Sequence, residues 1–296
     1  MGNILTKQFY RQRKDFEDSC AGRDAGLTFP EGVRCSTDIA YADDGIKAHM
    51  LDIYRPEDSQ EKILPVIINV HGGGLIIGNK EFNRYFCALL CKKGFLVYSI
   101  EYRLIPDCLM YDQISDVYMA MDYIKERLAA DGGDSSHVYM AGDSGGACLI
   151  TYANAIQNST NIARAANVTP SGLRINALGL ISGMFYTSRF DKIGLFLPKY
   201  LYGRDYKKTS FAKYVNPENR ELLNSLAPVW LVTSHNDFLR RYTTDFEKAL
   251  TRAEREHELV AFPKNKKLTH AFSVFEPFLP ESSEVIDMMV EYFRKF

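Results

Sequence analysis

The chain has 296 residues, enough for one large domain or two small ones with a substantial core, and no shift of composition marks a linker. Hydrophobic residues make up 46% and charged residues 25%, the balance of a soluble globular protein, and 36 basic residues against 37 acidic ones leave a net charge of -1. That balance argues against a nucleic-acid partner held by electrostatics, and the apolar runs, such as 64–70 and 177–181, are too short to cross a bilayer.

The six cysteines (Cys20, Cys35, Cys87, Cys91, Cys108, Cys148) form no paired Cys-x-x-Cys pattern and no zinc spacing with histidine, so they read as reduced thiols. No charged-then-apolar leader opens the chain, and the expected location is cytoplasmic. Met1-Gly2-Asn3-Ile4-Leu5-Thr6 does fit an N-myristoylation pattern, which only a eukaryotic host would use. Residues 2–24 mix charge with Ile4, Leu5, Phe9, Tyr10 and Phe16 and read as a helix laid over the rest, giving a cap arm over 1–34.

Residues 36–41 and 48–54 read as antiparallel strands joined at Asp43-Asp44-Gly45. Residues 64–70 (Leu-Pro-Val-Ile-Ile-Asn-Val) are β-branched in the way a strand covered on both faces requires. That run ends in His71-Gly72-Gly73-Gly74. Three glycines after a buried strand let the backbone approach a ligand and leave N–H groups unshielded, as in an oxyanion loop; a flexible glycine turn would read the same way. His71 fits the task of orienting such a loop better than that of moving protons. A helix over 84–92, a strand over 94–100 and a helix over 111–130, the last with apolar spacing at Ile114, Val117, Met121, Ile124 and Leu128, follow.

A strand over 137–142 then runs into Gly142-Asp143-Ser144-Gly145-Gly146, and a helix is expected over 147–157. Gly-x-Ser-x-Gly between strand and helix is the form of a nucleophile elbow: the serine sits in a strained turn, its neighbours two residues away must lack bulk, and the helix start offers N–H groups to an anion. Gly-Asp-Ser-Gly-Gly also surrounds the nucleophile of trypsin-like proteases. There, however, the order is His, Asp, Ser, whereas here the serine lies mid-chain with candidate acids and bases after it. Asp143 fits a role in supporting the turn.

Beyond a strand over 176–182, residues 183–226 lose any clean period and mix aromatics with basic residues. They form either a substrate-binding insert at the sheet's C-terminal edge or a surface helix pair packed on the domain. A strand over 229–234, a helix over 241–256, a last strand over 258–262, a loop over 267–272 and an amphipathic helix over 283–296 complete the chain. Strands alternating with helices imply an α/β fold: a mostly parallel sheet of about eight strands, helices on both faces and a small cap, in a single domain.

In such a sheet the loops after the strands open on one edge, which would bring Ser144, Asp237 and His270 together. A serine needs a neutral imidazole to accept its proton and a carboxylate to fix the tautomer. Among the six histidines, His49 and His137 fall in strands or their leads and His257 in the last turn of a helix. His235 lies two residues from Asp237, whereas the base normally occupies a separate loop, so His270 is preferred. Glu101 and Asp143 are rival acids, but one precedes the serine and the other adjoins it.

With these residues placed, residues 51 to the C-terminus resemble the hormone-sensitive-lipase-like carboxylesterases of the α/β-hydrolase superfamily. The resemblance is carried by Leu51-Asp52-Ile53-Tyr54-Arg55-Pro56, His71-Gly72-Gly73-Gly74, Tyr102-Arg103-Leu104-Ile105-Pro106, Gly142-Asp143-Ser144-Gly145-Gly146, Asp237-Phe238-Leu239 and His270-Ala271-Phe272. It implies Ser144 as nucleophile, His270 as base, Asp237 as acid and the N–H groups of Gly73, Gly74 and Gly145 as the oxyanion hole, with no metal or organic cofactor. Hydrolysis of small-molecule esters of short acyl or aryl groups is the expected activity. An arylformamidase-like amide hydrolase and a non-catalytic ligand-binding homologue are the alternatives, and a homodimer through the last strand and last helix is allowed. Three departures stand out: Leu75 replaces an aromatic, implying a reshaped acyl pocket; Gly145 replaces a frequent alanine; and Phe238 replaces a frequent proline, implying a looser acid loop.

Overall fold

The computed structural model describes residues 2–59 and 62–296; Met1, and with it the start of the acylation pattern, lies outside them. Among the described residues, eight strands form one sheet: β1 (Val33–Ala40), β2 (Met50–Pro56), β3 (Leu64–Val70), β4 (Leu96–Ile100), β5 (Gly133–Asp143), β6 (Ala177–Ile181), β7 (Val229–Ser234) and β8 (His257–Phe262). Their spatial order is β1-β2-β4-β3-β5-β6-β7-β8. Only the pairings of β2 with β1 and β4 are antiparallel, and the rest are parallel.

Side-chain alternation explains why the central strands are mostly apolar, with buried Asn69 of β3 an exception that donates to Ser99 Oγ. Val66, Ile68 and Val70 of β3 and Val138 and Met140 of β5 enter one core, while Ile67 of β3 and Tyr139 and Ala141 of β5 enter the other. Both faces are covered, so neither set can be polar. The first core is closed by α3 (Met110–Arg127), α4 (Ser144–Asn158) and α9 (Arg240–Arg252), the second by α2 (Arg84–Lys92) and α11 (Pro280–Phe293). Helix α4 is buried from Ser144 to Ile156, which is why it lacks a polar stripe.

The sequence reading placed every strand, with ends a few residues off. It missed α5 (Thr160–Ala166), which is capped by Ser159 accepting from the Ile162 N–H at 3.3 Å and closed by Asn167 in the left-handed region at φ 54°. Residues 183–226 are not a helix pair. They fold into α6 (Lys192–Phe196), α7 (Pro198–Leu201), two 3-10 turns and α8 (Arg220–Asn224), with Leu201, Tyr202, Phe211, Tyr214 and Leu222 turned into the first core. Short α10 (Phe272–Phe275) follows His270.

Helix α1 (Gly2–Asp24) lies across the edge where the parallel strands end. Arg13 ties it down, donating to the carbonyls of Ile76 at 2.8 Å, Leu104 at 3.0 Å and Ile105 at 2.6 Å and pairing with Asp107 at 2.7 Å. Its Phe9 meets Tyr200 edge-on at 5.2 Å. No helix among the described residues is long and apolar enough to cross a membrane.

Candidate active site

Strand β5 ends at Asp143 and α4 begins at Ser144 with no loop between them. Ser144 takes a left-handed φ of 49°, a strained value for a residue with a side chain. The turn leaves no room around it: a Cβ on Gly146 would lie 2.1 Å from the Val70 oxygen and 2.5 Å from the His71 oxygen, and one on Gly142 would lie 2.9 Å from the Gly146 carbonyl carbon. Glycine at both positions is therefore a requirement of contact between backbones.

The glycine triplet after β3 faces this elbow. Gly73 and Gly74 have φ of 100° and 62°, and a Cβ on Gly145 would come within 2.9 Å of the Gly74 nitrogen. Among the described residues, no acceptor takes the Gly73 or Gly74 N–H, and Gly145 stands in the first turn of α4, where N–H groups lack intrahelical partners. Two acidic groups, buried Asp143 and half-buried Glu101, shape the loop. Asp143 accepts from the Gly72 N–H at 3.0 Å and from Asn83 Nδ2 at 2.9 Å, and its burial raises its pKa despite that amide and the nearby imidazoles. Glu101 lies 2.9 Å from His71 Nε2 and accepts the Lys80 N–H at 2.9 Å.

His71 stacks on Tyr102 at 4.4 Å, and both its ring nitrogens face acceptors, the Glu101 carboxylate and the Gly72 carbonyl at 2.8 Å. Burial opposes a charge there, but Glu101 outweighs it and the pKa of His71 rises. His71 and Asp143 thus sit behind the loop, clamping it from two sides.

Across the elbow, His270 Nε2 lies 2.9 Å from Ser144 Oγ and His270 Nδ1 lies 2.7 Å from Asp237 Oδ1. Asp237 also accepts from Thr233 Oγ1 at 2.8 Å and from the Leu239 N–H at 2.8 Å. Burial would raise its pKa, yet the His270 imidazole, helped by the Leu239 N–H, wins and holds the carboxyl below its usual range. Ala271, left-handed at φ 47°, donates its N–H to Ser182 Oγ at 3.1 Å and fixes the turn that carries His270.

The model of the family described as the alpha/beta hydrolase fold matches residues 67–273, more than half of the chain. The chain belongs to the α/β-hydrolase-fold family. Within the matched stretch lie the glycine triplet, the elbow, Asp237 and His270 of this hydrolase-fold chain.

Similar proteins include a probable isoprenylcysteine alpha-carbonyl methylesterase of Oryza sativa subsp. japonica, 29% identical over 184 residues that make up 58% of this chain and 44% of that protein. Esterase LipQ of Mycobacterium tuberculosis is 32% identical over 120 residues, 40% of this chain and 28% of its own length. The chain thus spans less than half the length of these curated relatives. The crystal structure of esterase B from Lactobacillus rhamnosis superposes with a TM-score of 0.92 over 100% of this chain and 96% of that one, at 22% identity. At that identity the likeness is one of fold.

The other histidines of this hydrolase-fold chain lie elsewhere. His235 is exposed and faces Arg240 at 3.0 Å, His49 is buried against Asp44 and Asp116, His137 pairs with Asp134, and His257 lies beside Glu247. All six cysteines are unpaired. Leu75, where an aromatic was expected, is not among the residues lining the cavity. It is fully buried in the first core, and only its backbone meets the site. On the acid loop, Phe238 sets its ring 4.3 Å from the His270 ring, and Asp237 accepts the Leu239 N–H.

Beside Ser144 opens a cavity of about 430 Å³. Phe16 of α1, Met184, Ile193, Leu197 and Phe238 are among its walls. Among the described residues, its only ionisable lining groups are His71, Asp143 and His270. Asn83, Thr233 and Phe16 were not among the site residues that the sequence suggested. The first two carry no spacing signal, and Phe16 announced only an apolar face.

Proposed function

We propose that this chain is a carboxylesterase-type serine hydrolase acting on uncharged esters of short acyl or aryl groups. The observation that carries this reading is the unbroken line from Ser144 Oγ through the His270 imidazole to the Asp237 carboxylate, at 2.9 and 2.7 Å. Asp237, a charged acceptor with its own donors in place, holds the proton on His270 Nδ1 and leaves Nε2 free to accept one.

In the proposed reaction Ser144 Oγ attacks the ester carbonyl as its proton passes to His270 Nε2. The tetrahedral oxyanion is held by the N–H groups of Gly73, Gly74 and Gly145. His270 then gives the proton to the departing alkoxide, the alcohol leaves, and an acyl ester remains on Ser144. Water, deprotonated by His270, repeats the attack and releases the acid. His71 and Asp143 act by keeping the glycine loop where the negative charge develops.

The cavity supports an apolar acyl or aryl group, because its walls offer no charged partner beyond groups already engaged in the site. A formamide of a charged amino acid, and a bare ligand-binding role, find no observation in their favour. The relatives named as methylesterase and esterase are consistent with the ester bond as the one cleaved. Phe16 of α1 and Met184, Ile193 and Leu197 of the 183–226 segment contribute to the walls of the pocket, and their two segments would serve as its cap.

Ser144→Ala is the direct test. Turnover of p-nitrophenyl butyrate should fall by about 10⁴-fold or more, with the thermal transition of the wild type retained. A variant with normal fold and wild-type turnover would refute the assignment.

A further inference from the structure

The segment 188–208 carries six basic and two acidic residues, in a chain with 36 basic and 37 acidic residues overall. Both carboxylates are engaged: Asp191 caps α6 and accepts from Tyr242, and Asp205 pairs with Lys208 at 2.9 Å. Among the described residues, Lys192, Lys199, Arg204 and Lys207 have no carboxylate partner. Lys199, Arg204, Lys207 and Lys208 line a groove of about 520 Å³ whose apolar wall includes Leu195.

The same segment breaks the rule that large apolar side chains are covered. Phe190 is 91% exposed, Leu195 57% and Phe196 55%, and Phe238, on the facing loop, is 73% exposed. Ile193 and Leu197, interleaved with them, point the other way and line the catalytic cavity beside Phe238. One short stretch therefore presents aromatic and aliphatic groups outward, a cationic groove to one side and the cavity behind it.

We propose that this face docks on an anionic lipid surface. Phe190, Leu195 and Phe196 would enter the interfacial layer, as exposed aromatic and aliphatic groups do, while Lys199, Arg204 and Lys207 meet lipid phosphates and carboxylates. An apolar ester dissolved in that surface would then face the cavity without crossing water. An anionic lipid surface answers the exposed apolar groups and the cations without carboxylate partners on one face, and self-association through Phe190 and Phe196 is an outcome that the test distinguishes.

The test is co-sedimentation of the full chain with vesicles of phosphatidylcholine alone or with about one third phosphatidylserine. The wild type should partition at least about tenfold better onto the anionic vesicles, and the preference should fade between about 0.05 and 0.5 M salt. Lys199→Glu with Lys207→Glu should lose about tenfold or more of the anionic binding, whereas Phe190→Ser with Phe196→Ser should lose binding to both. All four positions are exposed, so p-nitrophenyl butyrate turnover in vesicle-free buffer should stay at the wild-type rate. Equal binding to the two vesicle types, or binding untouched by either pair of substitutions, would overturn the proposal. So would the absence of vesicle binding together with a dimer, seen by light scattering, that Phe190→Ser with Phe196→Ser dissolves. Sedimentation needs no turnover, so this outcome and the fate of the esterase reading are independent.

Discussion

Gly146→Ala asks the most of the elbow for the smallest chemical change. The added methyl would sit 2.1 Å from the Val70 oxygen, where ordinary contact begins at 3.4 Å. The start of α4 must then withdraw from β3 by roughly 1.3 Å. The acceptor is main chain in the middle of the sheet, so it cannot step aside as a flexible side chain would. Overpacking of this kind costs about 1–3 kcal/mol. Ser144 rides on the same turn, only 2.9 Å from His270 Nε2, so the displacement breaks that bond and misplaces the proposed nucleophile. A shift of about 1 Å can cost on the order of 10²-fold in rate.

The assay pairs p-nitrophenyl butyrate kinetics with a urea melt, and Gly22→Ala serves as control. A Cβ on Gly22 meets nothing within 4 Å, and the residue lies inside α1. That change should raise stability by about 0.4–1 kcal/mol and leave kcat alone. Wild-type kcat together with a wild-type urea midpoint in Gly146→Ala would refute the steric reading of the elbow.

Asp237→Asn keeps the size of the side chain but lets His270 take the wrong tautomer, so kcat should fall by about 10³-fold or more with little change in KM. The same substitution bears on acid stability. The folded carboxyl is held below its unfolded pKa, so its contribution is complete above about pH 4 and is lost as pH falls through the folded value; the variant's stability should be flatter there in acid melts. His71 has the opposite sign: its raised pKa contributes stability that is full below about pH 6.5 and disappears as pH rises through the folded value. Glu101→Gln should weaken that dependence in urea midpoints taken from pH 5 to pH 9, and parallel profiles for variant and wild type would count against the pairing. Phe16→Ala opens one wall of the cavity and should raise the octanoate-to-butyrate ratio of kcat/KM by at least about threefold in a p-nitrophenyl ester series; an unchanged ratio would remove α1 from the substrate's path.

Much of the fold could be read from periodicity because both faces of the sheet are covered. A strand such as β3, packed on two sides, is apolar at nearly every position, Asn69 being the buried exception, and that run differs from any helix face in the chain. The turn at Ser144 was equally plain. Its glycines answer to clashes with backbone, and no other residue type solves them.

The supports were harder to see. Asn83 reaches Asp143 across 60 positions and Ser182 meets Ala271 across 89, and neither residue belongs to a pattern that spacing could expose. Residues 183–226 defeated periodicity because their helices are at most five residues long, too short for a 3.6-residue repeat to register.

Local necessity explains what the amino-acid order determined unaided: covered strands, a glycine-bounded elbow, and a serine, an acid and a histidine each placed after a strand of a parallel sheet. Tertiary structure alone decided which side chains meet. Phe238 lies over His270, Leu75 turns into the core, and α1 swings across the sheet edge to put Phe16 in the cavity wall. The physical reason is that such contacts depend on the directions of groups far apart along the chain, and those directions are set only when the two cores close and the packing leaves each side chain one place to go.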